Sequence, residues 1–189
     1  MKFTMLESGV LAMPRADIDT DQIIPARFLK TVDRKGLGQA AFHDWRMLPD
    51  GSPNPACPLN APGAAGAAVV IAGANFGCGS SREHAVWALL ALGVRVVIAP
   101  SYGDIFRNNA LRNGLLAIEL PGDDCALLAG AGGAIHVDLQ RCEVARGGYR
   151  FRFTMDAFAR HCLLEGVDAL GYLLARSPAI AAFEAGRKS

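Results

Sequence analysis

Three stretches of the chain are almost wholly apolar: residues 67–72, with Val69, Val70 and Ile71; residues 95–99; and residues 115–120. A strand wet on one face alternates apolar and polar residues. These runs do not alternate, so the pattern predicts strands buried on both faces, as in a parallel sheet. Between the first two runs, residues 80–92 contain no Pro or Gly and read as a helix, with Gly93 placed to stop it. Between the second and third, Ser101 is a candidate cap for a helix through Asn113, with Gly114 as its stop. Strand, helix, strand, helix, strand with short connections is the α/β signature, for which right-handed crossovers are expected.

The flanks carry weaker signals. Residues 3–13 read as a strand, residues 17–21 as a polar turn and residues 36–45 as a short helix. Residues 48–66 hold Pro49, Pro53, Pro55, Pro58 and Pro62 among Gly and Asn, which predicts an excursion over the surface. Beyond Pro121, residues 135–139 and 149–153 read as strands around a Gly147-Gly148 turn, and Arg150, Phe151, Arg152 and Phe153 alternate as a half-buried strand does. Residues 155–164 and 168–175 read as helices, with Pro178 after the second. The expectation is a single domain over 1–189, with the excursion at 48–66 and a helical C-terminal extension from about 155.

Composition narrows the function classes. Apolar residues make up 51% and charged residues 20%, with a net charge of +1 and no long basic run, which argues against a nucleic-acid groove or an anionic membrane surface. Glu7 and Ser8 interrupt any signal-peptide core, and the apolar run around 64–74 contains Gly66 and Gly73 and is too short to span a bilayer. A soluble, cytoplasmic protein is expected. Cys57, Cys78, Cys125, Cys142 and Cys162 are widely spaced with no C-x-x-C pair, and their odd number does not suit a disulfide framework. No metal site is expected on this chain; reduced cysteines are.

Chemistry concentrates in Asn75-Phe76-Gly77-Cys78-Gly79-Ser80-Ser81-Arg82-Glu83-His84, which joins a buried strand to a helix. Open α/β sheets bind ligands at the carboxyl ends of their strands, and a helix start offers unpaired N–H groups and partial positive charge. Arg82 adds a planar fork suited to a carboxylate. The dinucleotide pattern fails because Arg82 stands where its last glycine is needed, and the P-loop pattern fails because no Lys precedes the serines. A small anion remains. Ser80 with Glu83 also fits a capping box, and His84 fits a packing role. From these residues alone the segment is an anion-binding helix start with a candidate serine nucleophile or base. Asp17, Asp19 and Asp21 imitate a calcium loop, but Gln22 and Phe28 stand where it requires Gly and Glu.

The string from Asn75 to His84, continuing Ala85-Val86-Trp87-Ala88-Leu89, resembles the signature of the swivelling domain of the aconitase superfamily, and most resembles the small subunits of 3-isopropylmalate dehydratase. Asp19-Thr20-Asp21-Gln22-Ile23-Ile24-Pro25-Ala26-Arg27-Phe28-Leu29 is similar to a second motif of that family. Asp44-Trp45-Arg46, Gly103-Asp104-Ile105-Phe106 and Phe158-Ala159-Arg160-His161-Cys162 also fit, so the resemblance covers nearly the whole chain. It implies a swivelling β/β/α domain, with a parallel sheet core, flanking helices and additional strands. It also implies a hydro-lyase of leucine biosynthesis that interconverts 2-isopropylmalate and 3-isopropylmalate. The expected partner is a large subunit carrying a [4Fe–4S] cluster, with no cofactor held by this chain.

By the same resemblance, Ser80 is the base that removes the proton next to a carboxylate. Ser81 and Arg82 bind the substrate, and residues 28–38 form a loop near its variable side chain, with Lys30, Thr31 and Arg34 as contacts. Aconitases carry an acidic residue where this chain has Cys78, so no role transfers to that thiol. Two other readings fit the same residues. One is a sister hydro-lyase acting on homoaconitate, citraconate or 2,3-dimethylmalate. The other is a stand-alone carboxylate-binding module, which an intact Ser80-Ser81-Arg82 string disfavours.

Overall fold

A computed structural model describes residues 2–29, 36–174 and 176–186. Lys30, Thr31 and Arg34 lie outside the described residues. Four parallel strands, β2 (Val10–Met13), β3 (Val69–Ala72), β4 (Val96–Ala99) and β5 (Leu116–Glu119), pair in that order. β3 and β4 are buried at every position, as their unbroken apolar runs predict. A second, antiparallel sheet runs β1 (Met5–Ser8), β6 (Ile135–Asp138), β7 (Glu143–Arg146) and β8 (Tyr149–Arg152).

The two-residue period of the strands sorts the core into two halves. Val70, Ala72, Val97 and Ala99 face one way and pack with Ala85, Val86 and Leu89 of helix α4 (Glu83–Leu92) and Phe106 and Ala110 of helix α5 (Asp104–Arg112). The short helices α1 (Thr20–Ile23), α2 (Leu37–Ala40) and α3 (His43–Arg46) close the same side. Val69, Ile71, Val96 and Ile98 face the other way and meet Ile135, Val137 and Val144 of the antiparallel sheet. Helices α6 (Gly122–Gly130) and α7 (Ala157–Glu165) contribute Cys125, Leu128 and Leu163 to this second half. The layers are antiparallel sheet, parallel sheet, helices: the expected β/β/α arrangement.

Several elements differ from the sequence expectation. The stretch 3–13 is two strands, one in each sheet, divided at Gly9. The segment 36–45 is two helices, broken where Phe42 takes a left-handed backbone with φ 51°. Helix α6 was not foreseen, because glycines at both its ends hide a face that buries only Cys125 and Leu128. Strand β7 was missed too. Its polar Glu143 and Arg146 look like a loop, but pairing with strands on both sides holds it, and the Gly147-Gly148 turn joins it to β8. Arg146 Nη1 reaches the carbonyls of Leu128 and Ala129 at 2.7 and 3.2 Å, tying this strand to the end of α6. After α8 (Ala169–Leu174), Pro178 does not close the helical region; it sits in the first turn of α9 (Ser177–Gly186), where a missing N–H costs nothing. The excursion at 48–66 is pinned by Asn60, whose side-chain amide donates to the carbonyls of Arg46 and Asn54 at 2.6 and 3.0 Å, and it buries Cys57 against the core.

Candidate active site

The loop after β3 lies beyond the carboxyl end of the parallel sheet, between two other loops that extend the strand pattern. On one side, Asp17 N–H donates to the Ala74 carbonyl (2.9 Å), Gly77 N–H to Ile18 (2.7 Å) and Thr20 N–H to Cys78 (2.9 Å). On the other, Phe76 N–H donates to Ser101 and Gly103 N–H to Phe76, both at 3.0 Å. Phe76 and Phe106 meet edge-on, with centroids 5.2 Å apart, and anchor the loop in the core. Gly77 must be glycine: its φ is 73°, and a Cβ there would stand 2.2 Å from Phe106 Cγ. Gly103 must be small because its Cβ would come within 2.6 Å of the Gly77 carbonyl oxygen.

This packing places Ser80, Ser81 and Arg82 just before α4. The helix begins at Glu83, three residues later than its sequence suggests, and Arg82 is its N-cap residue without a side-chain capping bond. The capping-box reading of Ser80 and Glu83 is therefore corrected. Glu83 Oε1 instead accepts from Asn113 Nδ2 at 2.7 Å, and Trp87 Nε1 donates to Asn113 Oδ1 at 2.9 Å, so Asn113 clamps α4 to the end of α5. Ser101 also does not cap α5; Gly103 is the N-cap residue, and Ser101 Oγ accepts the Asn75 N–H at 2.8 Å. His84 lies against Trp87, centroids 4.7 Å apart, a packing role.

Ser80 and Ser81 are exposed, whereas the Arg82 side chain is only 18% exposed. Arg82 forms an ion pair with Asp21, although its buried Nη1 has no acceptor in hydrogen-bond geometry. The capping box in this region belongs to Asp19 and Gln22: Asp19 Oδ1 accepts the Gln22 N–H at 2.8 Å, and Gln22 Oε1 accepts the Asp19 N–H at 3.1 Å. The acidic turn is thus a helix start. It meets the serine string through Thr20 Oγ1, which donates to the Ser80 carbonyl at 2.9 Å. Sequence reasoning missed this junction, because no local pattern links residues 60 positions apart.

Cys78 is half-buried, and burial, then the charges of Asp19 and Asp17, push its thiol above its ordinary pKa. Among the described residues no three of His, Cys, Asp and Glu gather as a metal site, and the cysteines are free. Among the described residues, none of these thiols has the neighbouring ligands that would hold an iron–sulfur cluster.

Arg27, just before the loop expected to meet substrate, pairs with Asp44 and lies over the Phe28 ring, 4.8 Å from its centroid. The Arg27 hydrogen bond, above all, holds the Asp44 carboxyl below its usual range. Arg46, from the same motif as Asp44, donates to the carbonyls of Gly38 and Ala41 at 3.1 and 3.3 Å and is structural.

A β/β/α core presenting serines and an arginine past the ends of its parallel strands defines a domain of aconitase swivelling type. Consistent with this, residues 2–123 match the family model described as the aconitase C-terminal domain. A chain from Anaeromyxobacter dehalogenans named "3-isopropylmalate dehydratase small subunit" is 54% identical over 97% of both chains. Chains of the same name from Chloroflexus aggregans and a Roseiflexus species are 52% and 46% identical, over 93% and 97% of this chain and 89% and 93% of theirs. The crystal structure of 3-isopropylmalate dehydratase (leuD) from Methanocaldococcus jannaschii superposes with a TM-score of 0.70 at 28% identity, covering 94% of this chain and 98% of that one. The chain belongs to the 3-isopropylmalate dehydratase small subunits within the aconitase family.

Proposed function

We propose that this chain acts with a large subunit as a hydro-lyase that converts 2-isopropylmalate to 3-isopropylmalate by removing and re-adding water, in the cytoplasm. The observation that carries the reading is the Ser80-Ser81-Arg82 string presented past the parallel strands and tied there by the acidic turn. Ser80 Oγ takes the proton from the carbon next to a substrate carboxylate as the hydroxyl leaves the neighbouring carbon, and returns it when water adds in the opposite sense. A serine is a poor base in water, so its alkoxide needs fixed stabilisation. The first N–H groups of α4 have no intrahelical partner and supply part of it.

Ser81 and Arg82 hold substrate carboxylate, with Asp21 orienting the Arg82 fork. Lys30, Thr31 and Arg34 meet the group that distinguishes one malate from another. The [4Fe–4S] cluster expected on the large subunit would supply Lewis acidity to the departing hydroxyl; this chain's part is proton transfer, carboxylate binding and closure of the site.

Ser80→Ala, assayed as a complex with the large subunit, is expected to fold, assemble and lose nearly all turnover. Retention of more than about a tenth of the wild-type rate would remove Ser80 from the role of base, since a general base contributes on the order of a hundred-fold or more.

A further inference from the structure

Thr20 carries a polar side chain into the core, at 2% exposure. Its hydroxyl donates 2.9 Å to the Ser80 carbonyl, and its backbone N–H donates 2.9 Å to the Cys78 carbonyl. One residue therefore grips the loop on both sides of Gly79, which takes a left-handed backbone with φ 88° just before the serine. Thr20 is itself held firmly. It opens α1 behind the Asp19–Gln22 capping box, and its neighbours Ile18, Ile23 and Ile24 are fully buried. Ser80, by contrast, is exposed in a stretch without regular secondary structure. The aim of its side chain follows from its backbone.

We propose that Thr20 is a positioning residue for the reaction: its hydroxyl fixes the Ser80 peptide and thereby directs the Ser80 side chain at the substrate. The proposal rests on the reading of Ser80 as the base. Without the hydroxyl, the Thr20 N–H still fixes the loop at Cys78 and Asp21 still pairs with Arg82, but the Ser80 peptide between these two points loses its hydrogen bond from α1. A displacement of about 1 Å at a reacting group costs on the order of a hundred-fold in rate.

Valine matches threonine in shape and lacks the hydroxyl, whereas serine keeps the hydroxyl and lacks the methyl. In the complex with the large subunit, Thr20→Val is expected to lower kcat about ten- to a hundred-fold. Its KM should change less than about three-fold, because carboxylate binding by Arg82 is untouched. Thr20→Ser is expected to restore kcat to within about three-fold of wild type. Should the valine variant fail to assemble, Thr20→Ala repeats the comparison against serine without the second methyl. Equal losses in the serine and hydroxyl-free variants would make Thr20 a packing residue and overturn the proposal, as would a wild-type kcat in the valine variant. Ser80→Ala measured alongside separates the two readings. If it is inactive while Thr20→Val is normal, only the positioning role fails; if it retains rate, the base assignment fails and positioning fails with it.

Discussion

Replacing Gly77 by alanine tests whether the loop is held against the core as the structure describes. Two costs are expected. An alanine at φ 73° takes a left-handed backbone, worth about 1–2 kcal/mol. Its Cβ would also stand 2.2 Å from Phe106 Cγ and 2.6 Å from Phe106 Cβ. Phe106 cannot yield easily, since it is 2% exposed and packed edge-on against Phe76. Forcing an extra carbon into such packing costs about 1–3 kcal/mol.

Gly133→Ala is the matched control: its φ is 80° and nothing lies within 4 Å of the added carbon. Both substitutions narrow the unfolded ensemble by the same amount, worth about 0.4–1 kcal/mol, so this term cancels in the comparison. Gly77→Ala should therefore be less stable than Gly133→Ala by about 1–3 kcal/mol in urea unfolding of the chain. Its melting temperature should be lower than the control's by several degrees, at roughly 2–4 °C per kcal/mol for a chain of this size. Turnover of the complex should also fall, because any retreat of the loop carries Ser80 with it. Equal stability of the two variants would refute the contact between this glycine and Phe106, and with it the account of how the loop is anchored.

Arg82→Lys keeps the charge but loses the planar fork that pairs with Asp21 and is proposed to meet a substrate carboxylate, so kcat/KM of the complex is expected to fall about ten- to a hundred-fold; steady-state constants near wild type would exclude a two-pronged grip. Burial pushes the Cys125 thiol from its ordinary 9.0 up to about 11. The folded form thus keeps its proton where the unfolded chain has lost it. The resulting stability is fully present below pH 9, is lost as pH rises from 9 to 11, and amounts to at most about 3 kcal/mol. Urea unfolding across that range should show a shallower decline for Cys125→Ala than for wild type, and parallel curves would sink the assignment.

Much of the architecture was legible because burial leaves a local record. The unbroken runs at 69–72 and 96–99 report two covered faces, and the left-handed Gly93 and Gly114 end their helices where the sequence places them. Helix α6 and strand β7 left no such record. The first buries too few side chains to show a period, and the second buries Val144 alone and is held largely by backbone pairing, which leaves little mark on side-chain pattern. The start of α4 was misplaced for a related reason. Ser80 and Glu83 have the spacing of a capping box, but Asn113 binds Glu83 and Thr20 holds the Ser80 peptide, so tertiary partners outweigh the local option.

The sequence by itself determined the α/β core, the position of the serine string at the end of a strand, and the family whose motifs the chain carries. Only the tertiary structure decided that the acidic turn packs against the serine string, that residues 5–13 serve two sheets, and that Arg82 is already paired. Side-chain periodicity reports what each residue's own segment buries. A hydrogen bond such as that from Thr20 to the carbonyl of Ser80 depends on where two distant segments are brought by the packing of everything between them.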